Sequence, residues 1–510
     1  MKVLEAISAG SRPSSQALVL DPTDIKLLWS SAKELEYLQP ELAKTTFEKI
    51  TRLMPLSWEA SFKIASIEMR FDDSAAAAFW FARALTISPS TIGSMLGLAK
   101  ISFDREISLR YWSRAKALDP ESVVHHLRIG SAYRSVNQAH LAQSSFERAI
   151  CLAPNDHSAW CEYSATKADF TSLQEAEQAA SRARLCDPSA ADAALHAGLL
   201  AFMKGEFQSA WDLYESRWRT ANFVDLPSLR GKPQWQPGMS GRVLVWGEQG
   251  LGDELMFLSM LPEILRLVDT VILQIDERLL GLAERWFRNR CLYVGRQQSV
   301  ASDAYDSQIA IGSLGKHFRA TKNSFARPDE PYLTAAPEHV ESWRRRLAKE
   351  RPGYCVGISW RSEHPLVGAA KSVALNKLIV AIPQQVRCVV NLQYGSGLKE
   401  KKLFENILAS RGFSPEFDLR NDIEQTAALA SCCDLIVTVS NSLAHLAGAL
   451  SIPTILLLRA GGDWRWIDDA GRSIWYPAVR ISRQQVLGDW SNCFEEVNKL
   501  LSRRQEITVF

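Results

Sequence analysis

Apolar positions change period partway along the chain. Over residues 22–220 they recur at helical spacing, in segments punctuated by prolines at 22, 55, 89, 120, 154 and 188, with steps of 33, 34, 31, 34 and 34 residues. A period near 34 is the length of a helix-turn-helix repeat. Ala84, Ala115, Ala149 and Ala183 stand five residues before a proline, and Phe47, Phe81, Trp112 and Phe146 stand eight before one. Small and aromatic residues at fixed offsets let two helices pack closely and wedge against the next pair. Gly130, Tyr133 and Trp160 fill such slots in first helices. The pattern predicts about six units, one shortened, the last being "ALHAGLLAFMKGEFQSAWDLYESRW". Stacked units present a concave face suited to an extended peptide or a partner's helix; a rigid spacer or dimerisation arm is the plainer reading.

Residues 221–241, rich in Pro and Gly, read as a connector. Beyond them, short β-branched runs alternate with longer amphipathic ones. Strands are predicted at Val243–Trp246, Val271–Ile275, Ile309–Ile311, Val356–Trp360, Val386–Leu392, Leu435–Val439 and Thr454–Leu458. Helical stretches between them predict parallel sheets covered on both faces. The series breaks over Thr321–Pro352, which predicts a hinge between Rossmann-like halves at 242–335 and 336–510. The expected class is therefore α plus α/β, with a separate N-terminal segment at 1–21. Ligands of paired α/β halves bind at the carboxyl ends of the strands.

Composition narrows the choice. With 59 basic and 57 acidic residues among 510, no global field points to nucleic acid or to a membrane surface. The N-terminus lacks the apolar core of a secretory signal, so a cytoplasmic protein is expected. Residues 435–458 are uncharged and long enough to cross a bilayer, but Ser440, Asn441, Ser442, His445 and Pro453 interrupt them, and strand, helix, strand fits better. Nine cysteines show neither a CxxC pair nor zinc spacing, so reduced thiols and no metal site are expected.

Two stretches carry candidate chemistry. In "VLVWGEQGLGDELMF" a strand runs into Gly247, Gly250 and Gly252, then Asp253. Backbone N–H groups at such a turn suit an anion or a substrate that approaches closely. The spacing is G-x-x-G-x-G and not the dinucleotide G-x-G-x-x-G, although Asp276 near the next strand's end leaves a nicotinamide oxidoreductase as an alternative. Asp253 is either a helix-capping acid or a general base facing the cleft; Gln249, Gly250 and Gly252 form the candidate acceptor loop. In "DLIVTVSNSLAHLAGAL", Ser440, Asn441 and Ser442 lead into a helix whose first turn suits the phosphates of an activated donor. His445 either touches that donor or bonds a neighbouring loop.

Trp360 and Arg361 end a predicted strand and are expected to face the cleft, with Lys371 following. Cations there stabilise charge on a leaving nucleotide, and with no Asp-x-Asp at a suitable strand end, no obligatory metal is expected. A structural ion pair for Arg361 and a solvated loop charge for Lys371 are the plain readings. The run "DWRWIDDAGRSIWYPAVRISRQ" mixes aromatic and basic residues. Packing explains most of its tryptophans, and Arg465 is the expected donor contact.

"VWGEQGLGDELMF…LP", "VGISWR", "DLIVTVSNSLAHLAGAL" and "DWRWIDDAGRSIWYPAVRISRQ…GDW" occur in an order that resembles bacterial proteins fusing tetratricopeptide repeats to a heptosyltransferase-like domain of glycosyltransferase family 9. The resemblance covers residues 22–500. It implies a GT-B fold of two Rossmann-like domains, the first binding the acceptor and the second a nucleotide sugar. It also implies Asp253 as the base of an inverting transfer. Many relatives carry Asp-Thr-Ser or Asp-Thr-Gly where this chain has Ser440-Asn441-Ser442; the lost carboxylate removes repulsion toward a donor phosphate and points away from ADP-heptose. By analogy the acceptor is a protein hydroxyl recruited by the repeats, with flagellin suggested. A repeat adaptor with a degenerate transferase domain and a lipopolysaccharide glycosyltransferase are the alternatives.

Overall fold

The computed structural model describes residues 23–71, 73–102, 105–170, 172–220, 231–325, 330–364, 368–395 and 397–503. The expectations for residues 1–21 and for 221–230 of the connector lie outside them. The chain divides into two compact units, 1–154 and 155–510.

Among the described residues, the first unit holds four helical hairpins: Ile25–Leu38 with Pro40–Leu53, Trp58–Arg70 with Ser74–Ile87, Ile92–Ile101 with Arg105–Leu118, and Val123–Ser135 with Ala139–Leu152. Asp24, Ser57, Asp73 and Ser122 cap first-turn N–H groups, each worth about 1 kcal/mol to its helix. The periodic alanines and aromatics are the hairpin interfaces: Ala84, Ala115 and Ala149 are fully buried, as are Phe47 and Phe146. Gly97 and Gly130 are the complementary small positions, since an added Cβ would lie 2.4 Å from Phe81 and 2.6 Å from Phe146. The ten-residue helix Ile92–Ile101 falls in the shortened repeat.

The second unit begins with two more hairpins, His157–Phe170 with Leu173–Cys186 and Ala191–Lys204 with Phe207–Tyr214, closed by a 3₁₀ turn at Glu215–Arg219. A first α/β lobe follows, with strands β1 (Arg242–Trp246), β2 (Thr270–Ile275), β3 (Cys291–Gly295) and β4 (Ser307–Ala310) in the parallel order β3-β2-β1-β4. The second lobe contains β5 (Cys355–Ser359), β6 (Cys388–Asn391), β7 (Gly412–Phe413), β8 (Leu435–Val439), β9 (Thr454–Leu458), β10 (Asp468–Asp469), β11 (Arg472–Ser473) and β12 (Val479–Arg483). Its order is β10-β11-β12-β9-β8-β5-β6-β7, antiparallel only at the β10-β11-β12 edge. The crossover reverses between β5 and β8, where a crevice is expected.

Several strands depart from the sequence reading. β3 and β12 fall outside the predicted set: the first is five residues long and the second alternates arginines with apolar residues. The strand expected at Ile309–Ile311 is Ser307–Ala310, because Ile311 opens a 3₁₀ turn. Residues 435–458 form β8, the helix Ser442–Ala449 and β9. Among the described residues no helix is long and apolar enough to cross a membrane.

One apolar core joins the last hairpin to both lobes, from Phe202 and Trp211 through Phe257 and Leu273 to Leu443 and Trp466. The segment expected as a hinge is bonded to both lobes. Tyr332 donates its N–H to Ala449 O at 3.0 Å and its hydroxyl to Leu255 O at 2.7 Å. The last repeat is fixed to the first lobe by Arg217, whose guanidinium donates to both oxygens of Glu248 at 2.8 and 2.7 Å and to Ser313 Oγ at 2.7 Å. Arg217 also lies over the rings of Tyr214 and Trp218, and both partners of the pair are buried. Truncating one partner of such a pair strands the other charge. Arg217→Met is therefore expected to lower stability by about 3 kcal/mol or more. The double variant with Glu248→Met is expected to recover much of that loss, as read by thermal unfolding.

Candidate functional site

The carboxyl ends of β1, β5, β8 and β9 converge where the two lobes meet. β1 ends at Trp246, and Gln249 follows with a left-handed backbone (φ 61°). Its side-chain amide donates to the Tyr214 hydroxyl, so the turn is braced by the last repeat helix. The helix Leu251–Phe257 starts after Gly250, whose N–H approaches Asp253 Oδ2 at 3.4 Å. Asp253 Oδ1 accepts from Arg465 Nε of the second lobe at 2.6 Å. Asp253 thus caps its own helix and pairs across the lobe junction, with 12% of its side chain exposed.

On the second lobe, Lys371 Nζ pairs with Asp463 Oδ2 at 2.9 Å, and Asp463 Oδ1 accepts the Arg465 N–H at 3.2 Å. A line of alternating charge, Lys371, Asp463, Arg465, Asp253, therefore crosses the junction. Burial pushes the Asp463 carboxyl up, but Lys371 and Arg465 outweigh it and hold it well below the usual range. Burial opposes the Arg465 charge, and Asp253 and Asp463 overcome it. His364 is held below its ordinary value by burial and by Lys371 and Arg465, which places it beside the same cluster. Ser440 Oγ accepts from Trp466 Nε1 at 2.9 Å and lies 3.4 Å from both Lys371 Nζ and Asp463 Oδ2.

The helix start expected to hold phosphate is engaged by the protein. Asn441 Oδ1 accepts the Ala444 N–H at 3.3 Å, and its amide donates to Ser359 Oγ at 2.9 Å. Tyr394 lines a small cavity together with Ser442. His445 stacks on Trp466 with centroids 4.4 Å apart and bonds the Tyr476 hydroxyl at 2.8 Å, so the reading of a histidine bonded to a neighbouring loop describes it. Burial lowers its pKa to about 3, and the ring is neutral. Gly252 packs directly on that ring: a Cβ there would lie 2.8 Å from His445 Cδ2.

Two expected cleft residues lie elsewhere. Trp360 stands one residue past the end of β5 and is buried in the second lobe's own core, stacked on Phe404. Arg361 is tied to Glu363 at 3.3 Å, Glu400 at 3.1 Å and Gly395 O at 2.8 Å, as in its structural reading. Lys371 is not a solvated charge, because Asp463 holds it. Sequence reasoning missed Asp463, Tyr394 and His364. Asp463 stands two residues before Arg465 in "GGDWRW", and an acid flanking the favoured cation was the available signal; Tyr394 had none. Among the described residues no group of three or more His, Cys, Asp or Glu side chains is placed to hold a metal ion.

Fold and site together define a protein of tandem helical-hairpin repeats joined to two parallel-sheet α/β lobes, with a charged cluster at their junction. No family model matches the chain. It is similar to Protein FlbA of Caulobacter vibrioides (strain ATCC 19089 / CIP 103742 / CB 15), 27% identical over 479 residues, covering 87% of this chain and 78% of that protein. Among solved structures it is similar to YrrB, a TPR protein, at 19% identity and a TM-score of 0.29, over 34% of this chain and 91% of that one. It is also similar to a thermophilic TPR protein of Thermus thermophilus, at 17% identity and a TM-score of 0.28, over 34% of this chain and 97% of that one.

Gly252→Val is expected to push His445 aside and lower stability by about 1–3 kcal/mol in thermal unfolding. A second prediction concerns Glu254, fully buried, where desolvation raises the pKa from 4.5 to about 7. The unfolded chain releases this proton first, so the group's contribution falls as pH rises from about 4.5 to 7. Glu254→Gln is expected to flatten that decline, by up to about 3 kcal/mol between pH 5 and 8 in denaturant titrations.

Proposed function

We propose that the chain is an inverting GT-B glycosyltransferase that moves a sugar from a nucleotide-activated donor to a Ser or Thr hydroxyl of a protein captured by its repeats, with flagellin as the suggested acceptor. The observation that carries this reading is the placement of Asp253. Its carboxylate, in the first turn of the helix that follows β1, faces Arg465, Asp463 and Lys371 at the carboxyl edge of the other sheet. In the proposed step the acceptor oxygen bonds to the anomeric carbon as its proton passes to Asp253. The bond from that carbon to the nucleotide's phosphate oxygen breaks, and the electron pair leaves with the nucleotide. Lys371 and Arg465 offset the charge that develops on the departing diphosphate. Because Arg465 occupies Asp253 in the free protein, an entering diphosphate competes for the guanidinium and uncovers the base. The repeats raise the acceptor's local concentration at the junction.

One observation favours a second reading, a repeat adaptor without transferase activity. The two helix starts are packed against each other at Gly252 and His445, and the one at Ser442 is capped by Asn441. The discriminating experiment is the intact mass of flagellin co-expressed with the full chain. An added sugar mass is expected with the parent, and Asp253→Asn is expected to reduce its rate of appearance at least about 100-fold. An unchanged flagellin mass with the parent, or equal modification by parent and variant, overturns the transferase reading.

A further inference from the structure

The last two repeat hairpins do more than join the lobes. A cleft of about 420 Å³ opens between the helices at 157–204 and the loop that leaves β9, within the size range of ligand sites. On the repeat side it is lined by Asp169, Ser172, Leu173 and Met203, and on the lobe side by residues 460–463 and 466–468 together with Arg483. The walls are clamped. Arg459 pairs with Asp169 at 3.2 Å, and Gly461, in the left-handed region at φ +91°, approaches so closely that a Cβ would lie 2.5 Å from Asp169 O. The position requires glycine on both counts.

The floor of the cleft belongs to the charged cluster. Asp463 and Trp466 line it, and the same two side chains hold Lys371 and Ser440. Charge argues against a nucleotide as the occupant. Asp169 and Asp463 pair with Arg459 and Lys371, and the Arg483 guanidinium donates to Gly461 O at 2.6 Å and Trp466 O at 3.3 Å. The exposed Asp468 at the rim adds negative charge. Among the described residues the lining carries three carboxylates, Asp169, Asp463 and Asp468, against the one guanidinium of Arg483, a poor match for a diphosphate. Glycine backbone, a hydroxyl and the apolar side chains of Leu173 and Met203 are what remain, and these suit a neutral extended polypeptide.

We propose that this cleft receives the acceptor: an extended polypeptide segment, led from the repeats past Leu173 toward the cluster at Asp463 and Arg465. The proposal rests on the transferase reading for its purpose, but occupancy can be read without activity. Leu173, 37% exposed, is replaced in the full chain by the photoreactive residue p-benzoylphenylalanine, and Leu292, 59% exposed on β3 of the first lobe, is replaced in a control. Purified flagellin is the probe. Crosslinking at 173 at least tenfold above 292, mapped by mass spectrometry to one contiguous flagellin segment and unaffected by excess nucleotide sugar, is the expected result. Equal crosslinking at the two positions, none at 173, or suppression by the nucleotide sugar overturns the proposal. Leu173→Arg supplies the kinetic arm, with a tenfold loss of kcat/KM for flagellin expected, and Leu292→Arg is expected to keep the parent's value. If the parent transfers no sugar while the 173 crosslink persists, the transferase reading fails and the docking site stands.

Discussion

The junction depends on how closely two helix starts approach, and that distance is set by a missing side chain. Gly252 lies against the His445 ring, and any Cβ there would intrude on it. The approach brings the next residue, Asp253, within 2.6 Å of a guanidinium from the other lobe. It also leaves His445 so thoroughly desolvated, with Trp466 and Tyr476 around it, that the ring stays neutral. Burial outweighs the nearby Asp253 and Asp463, which would favour a charged imidazole, while Arg465 and Lys371 oppose one. Packing and electrostatics at the site therefore share one origin.

The line from Lys371 to Asp253 alternates in sign, so each charge is compensated by its neighbours. A pair within reach of solvent, as Arg465 and Asp253 are, is easier to exchange for another anion than the enclosed pair of Arg217 and Glu248. The molecule thus holds two kinds of ion pair. The enclosed one fixes the last repeat to the first lobe, where breaking it would strand a charge. The exchangeable one lies where chemistry is proposed.

The last repeat hairpin shares a core with the α/β lobes, through Phe202, Trp211 and Tyr214. Phe202 and Trp464 stack with centroids 5.1 Å apart, and the Tyr214 hydroxyl accepts from Gln249 in the turn after β1. The helices that close the repeat series are consequently structural members of the site, and the cleft between them and the β9 loop is a product of that fusion.

Much of this was legible in the sequence. The proline period with its offset alanines and aromatics placed the hairpins, since helix packing imposes a repeat on residue size that survives in one dimension. The β-branched runs placed most of the buried strands, Leu435–Val439 and Thr454–Leu458 among them, because a strand covered on both faces is a continuous apolar run. The glycine turn before Asp253 was visible for the same local reason. What the tertiary structure alone decided is partnership. Arg465 meets Asp253 across 212 positions, Asn441 reaches Ser359 across 82, and Trp360 turns into its own lobe's core. A side chain's partner depends on which faces two separately folded elements press together, and spacing along the chain carries no record of that choice.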